Sequence, residues 1–217
     1  PELYSVTSGN NNGTMYQCWN LTNFYPSVMA LTDNVGDSSF RELPLKHGLD
    51  FSKSTFTAVA DSSFYGIALP NDKKIILPAT LNSVSANAFR QQQNGKTEYV
   101  NLRFLGEVPA TLGTDCFTPR NIGKHNVFYV DAKKCTSWTA QKFTPLTEDM
   151  KSEASYPGEK TLGKSTIGVN QSGWWNWLVQ EDLPKGPTEW NVVSENNDGS
   201  ITIYNKVDTW TFNLIPD

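Results

Sequence analysis

The stretch Thr97-Glu98-Tyr99-Val100-Asn101-Leu102-Arg103-Phe104 alternates apolar with polar side chains over most of its length. Successive side chains of a strand point to opposite faces, so this alternation predicts a strand with one buried face. The same pattern recurs at residues 126–130, 200–204 and 209–214. The chain is therefore predicted to be built mainly from β-strands.

Turn signals separate these segments. Asn94-Gly95 is typical of a two-residue hairpin because both residue types tolerate positive φ. Residues 196–199 (Asn-Asn-Asp-Gly) predict a second turn, between strands at 189–195 and 200–207. Residues 70–72 predict a third turn.

Helical signals are few. Residues 84–93 are compatible with a short helix, and residues 147–155 with a single turn that opens on acidic side chains. Residues 148–168 are polar and rich in glycine, which predicts a long exposed loop. We find no internal repeat of fixed period and no linker-like segment. These features predict one all-β domain over residues 1–217, an antiparallel β-sandwich or barrel with long polar loops and little helix.

Composition limits the classes of function. The chain has 217 residues, a net charge of −4 and a pI of about 5.2. Because phosphate neutralisation needs an excess of Lys and Arg, this charge argues against a nucleic-acid partner. Asn, Ser and Thr account for 59 residues, as expected of a polar surface. No apolar run approaches the ~18 residues of a membrane span, so no membrane insertion is expected.

The chain begins at Pro1 without a signal-peptide pattern, which suggests a processed product or a domain excised from a longer protein. Its three cysteines are Cys18, Cys116 and Cys135. One bridge, most simply Cys116–Cys135, is compatible with this odd count, but we favour three free thiols that behave as small apolar side chains.

Residues 158–165 (Gly-Glu-Lys-Thr-Leu-Gly-Lys-Ser) match the phosphate-binding loop pattern G-x-x-x-x-G-K-[ST]. That chemistry needs a buried strand before the loop and a helix after it, so that backbone N–H groups meet the phosphates. Polar residues precede the motif, while Ile167, Gly168 and Val169 disfavour a helix after it. We interpret the match as a coincidence in a flexible loop.

No pattern typical of a catalytic or metal site stands out. The two histidines and three cysteines lack the spacing of metal ligands, so neither a metal nor a cofactor is expected. Cys116 and His125 are close in sequence, but no third group that would orient them is evident. Adjacent acids such as Glu181 and Asp182 point to opposite faces of a strand, which disfavours acid–base catalysis. The chain is therefore expected not to be an enzyme.

The most unusual local feature is Trp174-Trp175-Asn176-Trp177. Exposed indole rings beside amides are suited to stacking on sugars, and tryptophan is also typical of protein interfaces. Strand alternation places Trp175 and Trp177 on one face, which we interpret as core, and leaves Trp174 open to either environment.

The acidic, Asn-, Ser-, Thr- and Trp-rich all-β character of the chain, with its opening segment Leu3-Tyr4-Ser5-Val6-Thr7, resembles the capsid spike of astroviruses. The resemblance implies a projecting domain on the virion surface, synthesised in the host cytoplasm. It implies a homodimer with a barrel or sandwich core that attaches to a host-cell receptor, either a glycan or a protein, and carries antibody epitopes.

A carbohydrate-binding lectin or adhesin head of phage or bacterial origin is the alternative. Because receptor contacts usually lie on loops, the polar turns at 10–13, 34–37, 92–96 and 156–164 are candidate receptor contacts. The candidate receptor-binding residues from these turns are Asn12, Asp37, Asn94, Lys96 and Lys160, and Trp174 is added as a residue suited to stacking on a sugar.

Overall fold

The computed structural model describes residues 29–91, 99–119 and 123–182, together with the backbone of three strands nearer the C-terminus. Its contacts divide the chain into two compact units, Pro1–Asp182 and Leu183–Asp217, which we describe separately. The prediction of a single domain over residues 1–217 stays a prediction.

Within its described residues, the first unit has ten strands, one short α-helix and one 3-10 turn. They are β1 (Leu49–Asp50), β2 (Ala58–Val59), β3 (Ile75–Leu77), β4 (Ser83–Val84), β5 (Asn101–Phe104), β6 (Thr111–Leu112), β7 (Val127–Asp131), α1 (Cys135–Thr139), β8 (Phe143–Pro145), the 3-10 turn Asp149–Ser152, β9 (Thr161–Ser165) and β10 (Asn176–Glu181).

Residues 29–131 wind into successive coils that supply strands to two parallel sheets. The short strands β2, β4 and β6 form one sheet, and β1, β3, β5 and β7 lie side by side in the other. In the larger sheet Leu49, Ile75, Leu102 and Phe128 lie in one row, separated by 26, 27 and 26 residues of chain. The described coils thus form a solenoid, with a repeat length in the ~20–29 residues that leucine-rich repeats also use.

Each coil turns at an equivalent segment, at residues 35–40, 59–64, 84–89 and 112–117. Every segment ends in a fully buried phenylalanine, and these rings stack in a ladder along the coils: Phe40, Phe64, Phe89 and Phe117. Their centroids are 4.9, 4.8 and 5.6 Å apart, close to the ~4.8 Å between neighbouring strands. One ring per coil therefore fills the interior from layer to layer.

The turn itself has a repeated backbone conformation. Two residues before each phenylalanine, φ is positive, and the residues there are Ser38, Ser62, Asn87 and Asp115. Asn and Asp tolerate this left-handed region better than most residues because short polar side chains bond locally. The hydroxyl groups of Ser38 and Ser62 donate to the preceding aspartates at 2.7 and 2.6 Å.

The larger sheet continues beyond β7 with a different connection. β10 pairs with β7 in parallel, and β9 and β8 follow as antiparallel neighbours, so the full order is β1-β3-β5-β7-β10-β9-β8. Between β7 and β8 lies α1, whose Trp138 is fully buried against Phe104 and Phe128. Trp138 thereby extends the aromatic core past the last coil.

The larger sheet has two faces of different character. Leu102, Phe104 and Phe128 point into the main core inside the coils. On the opposite face, here called the outer face, Val127 and Trp177 form a second, smaller cluster.

In the second unit, the described backbone forms a three-stranded antiparallel sheet of β11 (Asn191–Glu195), β12 (Ser200–Tyr204) and β13 (Thr209–Asn213).

The mainly-β prediction with little helix is confirmed, but the sheets mix parallel and antiparallel pairs. An entirely antiparallel arrangement was wrong for the described strands, since six of their pairings are parallel. The expectation of no internal repeat was also wrong. Side chains alternate between the two faces in parallel and antiparallel sheets alike. The alternation in the sequence therefore could not show whether successive strands are joined by coils or by hairpins.

The described elements decide several of the local predictions. The strands predicted at 126–130, 200–204 and 209–214 are confirmed within a residue. Residues 84–93 form β4 and a turn where they are described, and the helix predicted there was wrong. The single turn within 147–155 is confirmed by the 3-10 turn. The Asn94-Gly95 and 196–199 turns lie outside the described residues.

Candidate functional site

A cleft of about 260 Å³ opens on the outer face of the larger sheet, above β5 and β7. Three tyrosines, two asparagines and a histidine contribute to its lining: Asn71, Tyr99, Asn101, His125, Tyr129 and Tyr156. They come from four separate segments of the chain. We call this site the outer-face cleft.

Strand alternation determines which side chains reach the cleft. In β5 the side chains of Leu102 and Phe104 enter the main core, so Asn101 and Arg103 lie on the outer face. In β7 the same alternation turns Tyr129 outward. The register places Asn101 beside Val127 and Arg103 beside Tyr129, which brings the two strands' polar and aromatic groups together.

One wall of the cleft belongs to the segment between β8 and β9. Tyr156 packs edge-on against the buried ring of Trp177, with centroids 5.8 Å apart. The indole Nε1 of Trp177 donates to Ser155 Oγ at 3.2 Å, and Lys164 Nζ pairs with Glu153 at 2.5 Å. These contacts fasten the wall to the sheet.

Asn101 is buried in the cleft lining, with 5% of its surface exposed. Its Nδ2 donates to two backbone carbonyls, Asn71 O at 2.5 Å and Lys73 O at 3.4 Å. These two acceptors fix the orientation of the amide. Within the part of the chain that is described, Asn101 Oδ1 has no hydrogen-bond donor. Leaving such an acceptor unmet costs about 1–3 kcal/mol.

Tyr129 lies between charged groups. Lys74 Nζ is 3.7 Å from the centre of its ring and 3.0 Å from Glu181 Oε1. Glu181 also pairs with Arg103 at 3.3 Å. Burial raises the pKa of Tyr129, and the Glu181 charge and Tyr99 raise it further. The Tyr129 hydroxyl is therefore kept protonated at neutral pH and available as a hydrogen-bond donor.

His125 is buried and stacks on Trp175, with centroids 3.3 Å apart. Burial lowers the pKa of His125 to about 4, against opposing contributions from its bond to the Trp175 carbonyl and from Glu153. The ring is thus neutral at pH 7. Since a carbonyl oxygen can only accept, His125 Nδ1 carries the proton in its 2.9 Å bond to Trp175 O. The other ring nitrogen, Nε2, is then an acceptor.

Of the six candidate receptor-binding residues, the three that are described are not brought together. Asn12, Asn94 and Lys96 lie outside the described residues. Asp37 is exposed on the first described coil, and Lys160 is exposed beside Asp182, 3.7 Å away. Trp174 is half-buried and precedes β10, at the end of that strand opposite to Lys160. None of these three described residues lines the outer-face cleft.

Sequence reasoning missed the cleft residues Tyr99, Asn101, Tyr129 and His125, whereas Tyr156 begins the candidate turn at 156–164. One signal was present, because strand alternation already placed Tyr99 and Asn101 on one face of their segment. The register between β5 and β7 was needed to add Tyr129, and no local pattern predicts that register. The core interpretation is confirmed for Trp177, which is fully buried, whereas Trp175 is only half-buried.

The phosphate-loop match lies largely on a strand. Residues 161–165 form β9, an antiparallel neighbour of β10, with Thr161 and Ser165 buried. The prediction of a long exposed loop over 148–168 was therefore wrong in its second half. No helix follows the motif within residues 166–182, so the backbone geometry that binds phosphate is missing there.

Cys116 and Cys135 are free thiols, so the bridge considered between them does not form. Burial raises the pKa of Cys116 to about 12, which keeps it protonated and unreactive. Cys18 lies outside the described residues. The described parts of the chain contain no group of three or more metal-ligating side chains and no helix long and apolar enough to cross a bilayer.

Comparison of the chain with protein-family models, with curated proteins and with solved structures finds no match.

Proposed function

We propose that this chain is a non-catalytic attachment domain and that the outer-face cleft is where it contacts its receptor. The observation that supports this most strongly is the chemistry of the cleft. Three tyrosines surround an asparagine whose buried Oδ1 has no donor within the described residues. Aromatic side chains around a small number of unsatisfied polar groups are typical of binding sites.

The ionisable groups near the cleft support binding over catalysis. Glu181 is engaged by Lys74 and Arg103, and His125 is neutral with its Nδ1 proton donated to a carbonyl. General acid–base catalysis needs a group that exchanges protons near neutral pH. The pKa of His125 is about 4 and that of Tyr129 is raised, so neither residue meets this requirement.

The finer proposals follow the resemblance to astrovirus spikes. They are a position on the virion surface, a homodimer, recognition by neutralising antibodies, and a β-barrel or sandwich arrangement as the overall class. The acidic charge of the chain supports a partner other than nucleic acid. A phage or bacterial adhesin head is equally compatible with an attachment cleft.

Binding of the fluorescently labelled chain to a panel of cultured cells tests the attachment proposal. We expect the double substitution Tyr99→Ala with Tyr156→Ala to reduce bound fluorescence about fivefold or more, since binding energy is concentrated in central aromatic residues. Tyr65→Ala is the matched control, because Tyr65 contacts Arg41 on a coil turn and does not line the cleft. Equal binding by the double variant and the wild-type chain would contradict the proposal.

A further inference from the structure

We infer that the receptor group held in the outer-face cleft is an uncharged sugar ring. This inference rests on the proposed attachment function and names the class of ligand for the same site. Four properties of the cleft lead to it: its size, its aromatic rings, its buried hydrogen-bond acceptors and its flanking lysines.

The size of the cleft limits the ligand to a compact group. Its volume of about 260 Å³ is just below the ~300–1,000 Å³ of pockets that enclose drug-sized molecules. A helix or a strand of a protein partner needs an extended groove rather than a cleft of this volume. A single ring-sized unit of a larger receptor has the size that this cleft can hold.

The aromatic lining favours a group with an apolar face. Tyr99, Tyr129 and Tyr156 are each half-buried, so part of each ring is accessible. Lys74 already occupies one side of the Tyr129 ring at 3.7 Å, which leaves Tyr99 and Tyr156 as the main stacking surfaces. The faces of aromatic rings carry negative potential and attract polarised C–H groups such as those of a sugar.

The buried polar groups of the cleft require a ligand that donates hydrogen bonds. Asn101 Oδ1 is an acceptor without a donor in the described structure, and His125 Nε2 is an acceptor by its tautomer. A carboxylate would place further acceptors against these atoms, whereas a hydroxyl group can donate to them. An apolar side chain of a protein partner would leave Asn101 Oδ1 unsatisfied.

Two lysines beside the cleft disfavour a ligand that carries an ammonium group. Lys124 contributes to the lining, and Lys74, which is paired with Glu181 at 3.0 Å, lies over the ring of Tyr129. A neutral ring that carries hydroxyl groups and one apolar face satisfies the stacking surfaces, the acceptors and the charges together.

Saturation-transfer NMR with single glycosides tests the inference. The probes are methyl glycosides of glucose, galactose, mannose and fucose, with methyl glucuronide and glucosamine as charged comparators. We expect at least one neutral glycoside to bind with a dissociation constant of about 1 mM, because a ligand of ring size has few atoms to contribute. Both charged comparators should bind more weakly than that glycoside.

Two substitutions connect binding to the cleft. Asn101→Leu removes the unpaired acceptor and is expected to weaken binding of the neutral glycoside about five- to tenfold. Because Asn101 Nδ2 also holds the backbone of Asn71 and Lys73, a thermal melt must accompany this variant. Tyr156→Ala, at a half-buried wall position, removes a stacking surface independently, and Tyr156→Phe should retain most of the affinity.

Cell binding separates failure of this inference from failure of the attachment proposal. Mild periodate oxidation of the cells and competition by the bound glycoside should both abolish the attachment that depends on Tyr99 and Tyr156. Attachment that depends on these tyrosines but survives both treatments would overturn the sugar inference and leave the attachment function standing. Stronger binding of a charged comparator would also overturn it. Absence of tyrosine-dependent attachment and of glycoside binding would overturn both.

Discussion

The stability of the folded chain depends on pH through His125, which lines the cleft and stacks on Trp175. His125 is 4% exposed, and its pKa of about 4 lies below the 6.5 of a free histidine. An unfolded chain therefore takes up this proton at a higher pH than the folded chain does. Folding is penalised progressively as the pH falls from about 6.5 to about 4, and the penalty is constant below that range.

We expect this residue to lower the free energy of unfolding by about 1–2 kcal/mol between pH 7 and pH 4, allowing for solvent screening. Chemical denaturation of His125→Gln and of the wild-type chain at both values measures the difference. The variant should lose less stability on acidification. Identical behaviour of the His125 variant would contradict the burial argument.

At the scale of elements, the coils approach one another so closely that some positions admit only glycine. A Cβ added at Gly113 would lie well inside van der Waals contact with the backbone of Ala86 in the preceding coil. Its φ is ordinary, so the constraint is the approach of the two coils and not the conformation of the turn.

Gly113→Ala is accordingly expected to destabilise the chain by about 2–3 kcal/mol, comparable to overpacking a core. Gly123→Ala is the matched control, because an added Cβ there meets nothing within 4 Å and only its positive φ of 85° carries a cost, about 1 kcal/mol. Thermal or denaturant unfolding measures both variants. A loss at Gly113 no larger than at Gly123 would contradict the stacking of the coils.

The sequence predicts strands well because alternation is a local property, as at 126–130. It does not predict how strands pair, since alternation is the same in coils and in hairpins. The repeat was difficult to detect because the spacing between Phe40, Phe64, Phe89 and Phe117 varies from 24 to 28 residues and the strand sequences differ. The shared signal is an aliphatic residue followed five positions later by phenylalanine.

The candidate site was harder to predict than the fold for a related reason. Turn residues such as Asp37 and Lys160 are polar and exposed, but they belong to different parts of the fold. Asp37 lies on the first described coil, and Lys160 directly precedes β9. Asn101 and Tyr129 are 28 positions apart in the chain, and only the pairing of β5 with β7 brings them to one cleft. A site that is formed by residues of different coils depends on the register between their strands. That register is set by tertiary packing and is not visible in a local stretch of sequence.

At the scale of the whole molecule, the attachment proposal includes a homodimer. Two chains of 24.2 kDa would have a solution mass near twice that value. Light scattering behind a sizing column, under reducing conditions because Cys116 and Cys135 are free thiols, measures it. We expect a stable dimer at micromolar concentration. A monomer at that concentration would contradict the dimeric spike, and a monomeric adhesin head would then be preferred.

The central claim is that the outer-face cleft is the contact site of an attachment domain. The most direct test is NMR of the ring signals of the eight tyrosines, recorded while the chain is titrated with a mixture of neutral methyl glycosides. We predict that the signals of Tyr99, Tyr129 and Tyr156 shift together and saturate, while the Tyr65 signal stays in place. Saturable shifts at other tyrosines, with the three cleft signals unchanged, would contradict the claim.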